Sequence, residues 1–212
     1  MDDTPGDEHD SPWVRRGRRV AYENPWIMVW HDDVTRPDGE PGIYGVVHFQ
    51  SVAVGVVAID DNDDIVLVGQ FRYTLDAWSW EIPEGGVPFD EDPIDGARRE
   101  LAEETGITAA AWREIGRFHL SNSISDEAAV AYIATGLTEG EASPDETEAL
   151  VVRRVRFEEA LAMTMDGRIT DALSVLALQR VGLMRHRGAA PDAADYDPRD
   201  VAAGDARRRG TE

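Results

Sequence analysis

The chain has 212 residues, 42% of them hydrophobic, which is enough to bury one full core with trimmings. Its formal net charge of −21 argues against duplex nucleic acid as a partner, and every basic residue other than histidine is arginine, because lysine does not occur. Cysteine is absent, which removes disulfides, thiolate metal sites and a cysteine nucleophile; no apolar run approaches the length of a membrane span, and the acidic opening MDDTPGDEHD is unlike a basic signal peptide. These features together predict a cytoplasmic protein with no membrane partner.

Residues 1–12 are polar and acidic, and disorder is expected there. From Val20 the pattern turns to strands, with Ile27–His31 and Ile43–Phe49 bracketing a turn at Arg36–Glu40. The N-terminal aromatics Tyr22, Trp26 and Trp30 can either stack a nucleobase or pack in a dimer interface. Val52–Ile59 is a continuous apolar run that reads as a buried strand. Asp60–Asp64 lacks the spacing of a calcium loop and reads as a hairpin turn into a partner strand, Ile65–Phe71, followed by another strand at Trp78–Ile82.

The next segment, GGVPFDEDPIDGARRELAEETGI at residues 85–107, carries most of the chemistry. Asp92 can cap a helix with Pro93 in its first turn, Asp95 suits the positive end of the helix dipole, and Gly106 suits a left-handed C-terminal cap. Gly96 is a weak point inside that helix. Glu100, Glu103 and Glu104 then stand at i, i+3 and i+4, one face of the helix, where they repel one another unless a cation compensates them. Hard oxygen ligands of this kind suit Mg²⁺ or Mn²⁺. Arg99 is expected to face a different side from Glu103, and Gly85 and Gly86 allow a tight turn and close backbone approach.

Strands are expected near Glu114–Leu120, Ala128–Ala134 and Leu150–Phe157, then a short helix over Glu158–Met165 and a longer one capped by Thr170 and running to about Met184. His119 reads as a structural histidine at a strand end. Residues 187–212 repeat the polar, acidic composition of the N-terminus, and Arg207–Arg209 reads as part of a solvated tail. The order of elements implies an α/β fold with helices packed on a mixed sheet.

Spaced as Gly85, Glu91 and Arg99-Glu100-Leu101-Ala102-Glu103-Glu104-Thr105-Gly106-Ile107, the segment resembles the Nudix box at every defined position. The likeness extends over roughly residues 13–186, through Gln70–Tyr73, Trp80–Gly86, Ser125–Glu127 and Pro144–Glu148, and points to the ADP-ribose and nucleotide-sugar pyrophosphatase branch. It implies a Nudix α/β/α sandwich over 50–186, preceded by antiparallel strands at 13–49 that pair two copies as a homodimer. It further implies hydrolysis of a nucleoside diphosphate linked to another moiety, with divalent metal.

On this resemblance the backbone carbonyl of Glu84 joins Glu100, Glu103 and Glu104 as a metal ligand, and Glu91 becomes the partner of Arg99. The general base falls on Glu146 and a further metal contact on Glu148, with Asp126 and Glu127 as rivals for the base. Arg72 reaches a substrate phosphate or forms a surface ion pair. The strand Gly42–Phe49 lacks the arginines that known ADP-ribose enzymes of this branch carry there, and Leu120–Ser123 replaces a frequent Ser-Pro-Gly. These departures count against ADP-ribose, which nevertheless stays the first expected substrate on the resemblance, with GDP-mannose, a dinucleoside polyphosphate or NADH as alternatives. A non-catalytic nucleotide sensor would be expected to lose box carboxylates, and this chain keeps them all.

Overall fold

The computed structural model describes residues 11–143 and 149–187. Among the described residues the chain first lays down β1 (Val14–Glu23), β2 (Ile27–Thr35) and β3 (Pro41–Phe49), an antiparallel sheet in the order β1-β2-β3. The first strand begins at Val14 rather than Val20: its run of arginines hides the β pattern, because their partners lie on β2. Arg18 forks onto Asp32, and Arg16 donates to Thr35 Oγ1.

The next strands are β4 (Ser51–Ala58), β5 (Asp64–Arg72), β6 (Ala77–Glu81) and β7 (Glu84–Pro88), after which the chain enters helix α1 (Pro93–Thr105). β8 (Thr108–His119), β9 (Ala128–Thr138), β10 (Val151–Arg156), α2 (Phe157–Asp166) and α3 (Ala172–Arg187) complete it. A central sheet runs β7-β4-β9-β8, parallel between β4 and β9 and antiparallel elsewhere. A smaller antiparallel sheet runs β10-β5-β6.

Alternation along β4 explains the layering. Val52, Val54, Val56 and Ala58 face α1, with Ala97, Leu101, Ile107 and Val130 in the same cluster. Val57 faces the other way, into a core formed with Leu173, Ala177 and Leu178 of α3, Phe157 and Met163 of α2, and Ile65 and Leu67 of β5. The α/β/α expectation is met.

Several local expectations need correcting. β5 is not the ladder partner of β4: beyond a single bridge, Ile59 to Ile65, it leaves for the smaller sheet. Both faces of β5 are apolar, so periodicity could not tell which sheet it joins. Glu84–Pro88 forms a strand against β4 rather than a tight turn. α3 is capped by Asp171, not Thr170: its carboxylate accepts the Ser174 N–H at 2.7 Å, a stronger acceptor one residue closer to the helix. β8 starts at Thr108, because its exposed alanines pair with β9 without an apolar signature.

Candidate active site

Strand β7 and helix α1 form the frame. The helix is capped as expected: Asp92 accepts the Ile94 N–H, and Gly106 sits in the left-handed region at φ 73°. Gly96, weak by propensity alone, has a packing reason. A Cβ there would lie 2.1 Å from Val87 Cγ2, so only glycine lets α1 approach β7 this closely.

That approach carries the box carboxylates onto the strand. The Glu84 N–H donates to Glu104 Oε2 at 3.1 Å, and Glu104 is buried. The Glu100 carboxylate lies over Gly85, so close that a Cβ at 85 would stand 2.2 Å from its Cδ. Arg99 Nη1 donates to Glu100 Oε1 at 2.8 Å and to Glu103 Oε2 at 3.0 Å, and Nη2 lies 3.5 Å from Glu91 Oε2. The expected Glu91 partner is present, but Arg99 does not face away from Glu103. An i, i+4 spacing lets its long side chain bend over the carboxylate face.

A second group of carboxylates lies beside Glu84. Arg72 forks onto buried Glu81, with Nε to Oε1 at 2.9 Å and Nη2 to Oε2 at 2.5 Å, and also donates to Glu84 Oε1 at 3.0 Å. These bonds hold the guanidinium firmly protonated. Glu81, Glu84 and Asp171 bring carboxylate oxygens within 4.8 Å of one another. Burial pushes the Glu84 carboxyl well above the usual range, and the charges of Asp171 and Glu81 push it further, against Arg72. Glu84 Oε2 is buried without a hydrogen-bond partner among the described residues. Crowded hard oxygens with an orphaned acceptor fit a divalent cation.

Glu81 and Asp171 were missed by sequence reasoning. A glutamate between Trp80 and Ile82 in a tryptophan-rich strand was the available signal for Glu81; Asp171, beside Thr170 at the start of the last helix, has no local signal that sets it apart. Glu127 stands at the head of β9, half-buried, its carboxyl pushed up by burial and then by Asp171 and Asp126. Its neighbour Asp126 is committed: Oδ2 lies 2.5 Å from His48 Nδ1 and Oδ1 accepts the Phe49 N–H at 3.0 Å. Both Asp126 oxygens are thus engaged by β3.

Trp26 sits in the β1–β2 connection, 73% exposed. Trp30 is buried, stacked on His48 with centroids 4.4 Å apart, under the Arg18 guanidinium at 3.7 Å, so it packs within its own chain and is not free to stack a base. His119 ends β8 as expected. Glu146 and Glu148 lie outside the described residues.

Comparison with known proteins turns on this frame. The NUDIX domain model matches residues 50–174, and the nucleoside diphosphate sugar hydrolase N-terminal domain matches residues 13–47. The chain belongs to the Nudix family. An ADP-ribose pyrophosphatase of Mycobacterium tuberculosis is 32% identical over 207 residues, 95% of this chain and 98% of the relative. An ADP-ribose pyrophosphatase of Bacillus subtilis is 34% identical over 159 residues, 74% of this chain and 85% of the relative. A crystal structure of an ADP compounds hydrolase shares the fold at a TM-score of 0.76 and 19% identity, covering 86% of this chain and 100% of that one. The chain is a Nudix hydrolase; no helix among the described residues is long and apolar enough to cross a membrane.

Proposed function

We propose that this Nudix hydrolase cleaves the pyrophosphate bond of a nucleoside diphosphate linked to a sugar, with ADP-ribose as first substrate, using Mg²⁺ or Mn²⁺. The observation that carries the reading is the convergence of Glu100 and Glu104 on Glu84 and Gly85. Glu100, Glu103, Glu104, the Glu84 carbonyl and Glu148 would hold the metal. Bound there, divalent metal neutralises charge on the phosphoryl oxygens and lowers the pKa of a coordinated water. Arg99 fixes the box carboxylates through its bonds to Glu100 and Glu103. Arg72, at the edge of the cluster, gives the substrate phosphates a cation, and Trp26 offers an exposed ring to the base.

Water adds across the P–O–P linkage. Its oxygen joins one phosphorus, its proton passes to Glu146 and then to solvent, and the other phosphate leaves as a monoester. The N-terminal unit, residues 13–49, pairs two copies, and the enzyme works in the cytoplasm. The names of the relatives support the substrate class.

The test is a screen of ADP-ribose, GDP-mannose, UDP-glucose, NADH and diadenosine polyphosphates with each metal. Metal-dependent release of AMP and a sugar phosphate is expected first from ADP-ribose. Product formation no faster than in chelator, for every compound, would overturn the reading. Light scattering is expected to give twice the chain mass at micromolar concentration; a monomer would remove the dimer.

A further inference from the structure

The free edge of β3 is not left to solvent. Val47 bridges Ser125 in parallel, its N–H donates to Ile124 O at 2.9 Å, and its carbonyl accepts the Asp126 N–H at 3.2 Å. Tyr44 Oη donates to Ser123 O at 2.8 Å. The β8–β9 connection is thus sewn to the N-terminal sheet, while Leu120 N–H to Glu127 O at 3.1 Å closes it from the other side. The strongest stitch is His48. Its ring lies flat on Trp30 and faces Phe89 of the box segment, with centroids 6.5 Å apart and planes 22° apart. Its Nδ1 lies 2.5 Å from Asp126 Oδ2, while the Phe49 N–H takes the other oxygen.

An aspartate with both oxygens engaged by a strand of another sheet is an anchor. The residue after it is Glu127, half-buried and subject to the charge of Asp171, which also borders Glu81 and Glu84. A carboxylate on a loop reaches a reacting water only if the loop is held to within a fraction of an ångström.

We propose that His48 is a positioning residue: by fixing Asp126 it lets the N-terminal sheet hold Glu127 toward the carboxylate centre, where Glu127 accepts a hydrogen bond from water during turnover. The proposal rests on the pyrophosphatase reading. It makes the N-terminal sheet part of the catalytic frame of its own chain, in addition to any pairing between copies.

The experiment is a double-mutant cycle with His48→Ala and Glu127→Ala, using ADP-ribose and Mg²⁺. His48→Ala is expected to lower kcat about tenfold with KM within about twofold, as for other groups that orient a reacting ligand. His48→Asn, whose amide nitrogen can stand near the Nδ1 position, is expected to recover kcat to within about threefold of the parent. In the Glu127→Ala background, His48→Ala is expected to cost less than about twofold, because the penalty has already been taken. Additive losses, or His48→Asn no better than His48→Ala, would overturn the proposal.

Hydrogen exchange supplies a readout independent of turnover. His48→Ala is expected to raise exchange at the amides of Ile124–Glu127 and leave α1 unchanged. If the unsubstituted protein hydrolyses nothing, the substrate reading fails; unchanged protection of the loop would then overturn the clamp on its own.

Discussion

Gly85→Ala separates the metal site from the fold. A Cβ at 85 would stand 2.2, 2.3 and 2.5 Å from Cδ, Oε2 and Oε1 of Glu100. Ordinary van der Waals contact is about 3.5 Å, so the carboxylate must retreat by roughly 1 Å or more. It is the far end of a flexible side chain, so it can move without disturbing the backbone. Alanine suits a strand, and losing a glycine's unfolded-state freedom contributes about 0.4–1 kcal/mol in the variant's favour. Stability should therefore change by less than about 1 kcal/mol.

Metal geometry tolerates about 0.2 Å, so the same displacement removes Glu100 from the ligand set. We expect the Mg²⁺ or Mn²⁺ concentration for half activity to rise about 10–100-fold, or roughly 1.4–2.7 kcal/mol. Gly96→Ala is the control. There the Cβ meets Val87 Cγ2 at 2.1 Å and Val87 Cβ at 3.0 Å, inside a core that cannot yield. Overpacking should cost about 1–3 kcal/mol and lower Tm by about 2–10 °C, with a smaller effect on the metal titration. The assay is initial rate against metal concentration, beside thermal unfolding in chelator. A Gly85→Ala enzyme with an unchanged metal titration would refute the placement of Glu100 at the metal.

Glu103→Gln and Glu104→Gln should each lower kcat about a hundredfold, near 3 kcal/mol, with little change in fold; activity within a few-fold of the parent would remove this face from the mechanism. Glu146→Gln should lower kcat with KM and metal titration near those of the parent, whereas Glu148→Gln should raise the metal requirement; a crippled Glu127→Gln beside an active Glu146→Gln would move the base to the earlier loop. The raised Glu84 carboxyl means that the native state binds this proton more tightly than the unfolded chain does. Stability in chelator should therefore fall as pH rises above about 4.5 toward neutrality, and Glu84→Gln should flatten that slope; parallel melting curves for the two proteins from pH 5 to 8 would contradict it.

The parts of the site legible in sequence were those set by local spacing. The helix, its Asp92 and Gly106 caps, and the shared face of Glu100, Glu103 and Glu104 all follow from the 3.6-residue repeat. What stayed hidden depends on contacts distant in sequence. Glu81 and Asp171 meet across 90 positions because Ser174 Oγ accepts the Ile82 N–H at 3.0 Å and docks the start of α3 on the end of β6. No local pattern announces that bond. His48 looked like one more strand residue, because its partner Asp126 lies 78 positions away. β5 reads the same whichever sheet it joins, since both its faces are buried through Val68.

The electrostatics of the frame explain why these carboxylates are tolerated. Arg72 is shared between Glu81 and Glu84, and Arg99 among Glu91, Glu100 and Glu103. Each arginine thus serves more than one carboxylate, and Asp171 and Glu104 crowd the same strand. Burying charge that is only partly compensated costs several kcal/mol per ion unless a group changes protonation or a cation arrives. The upward push on the Glu84 carboxyl runs in the direction of the first response, and a divalent ion held by these carboxylates would supply the second. The deficit also bears on substrate entry: with a net charge of −21 the chain repels a pyrophosphate at a distance. A metal-bound pyrophosphate would carry less negative charge than the free anion and so would meet less of this repulsion. On the proposed pyrophosphatase reading, substrate binding and filling of the carboxylate centre are therefore expected to favour each other, and the check is whether the substrate concentration for half-saturation falls as Mg²⁺ is raised.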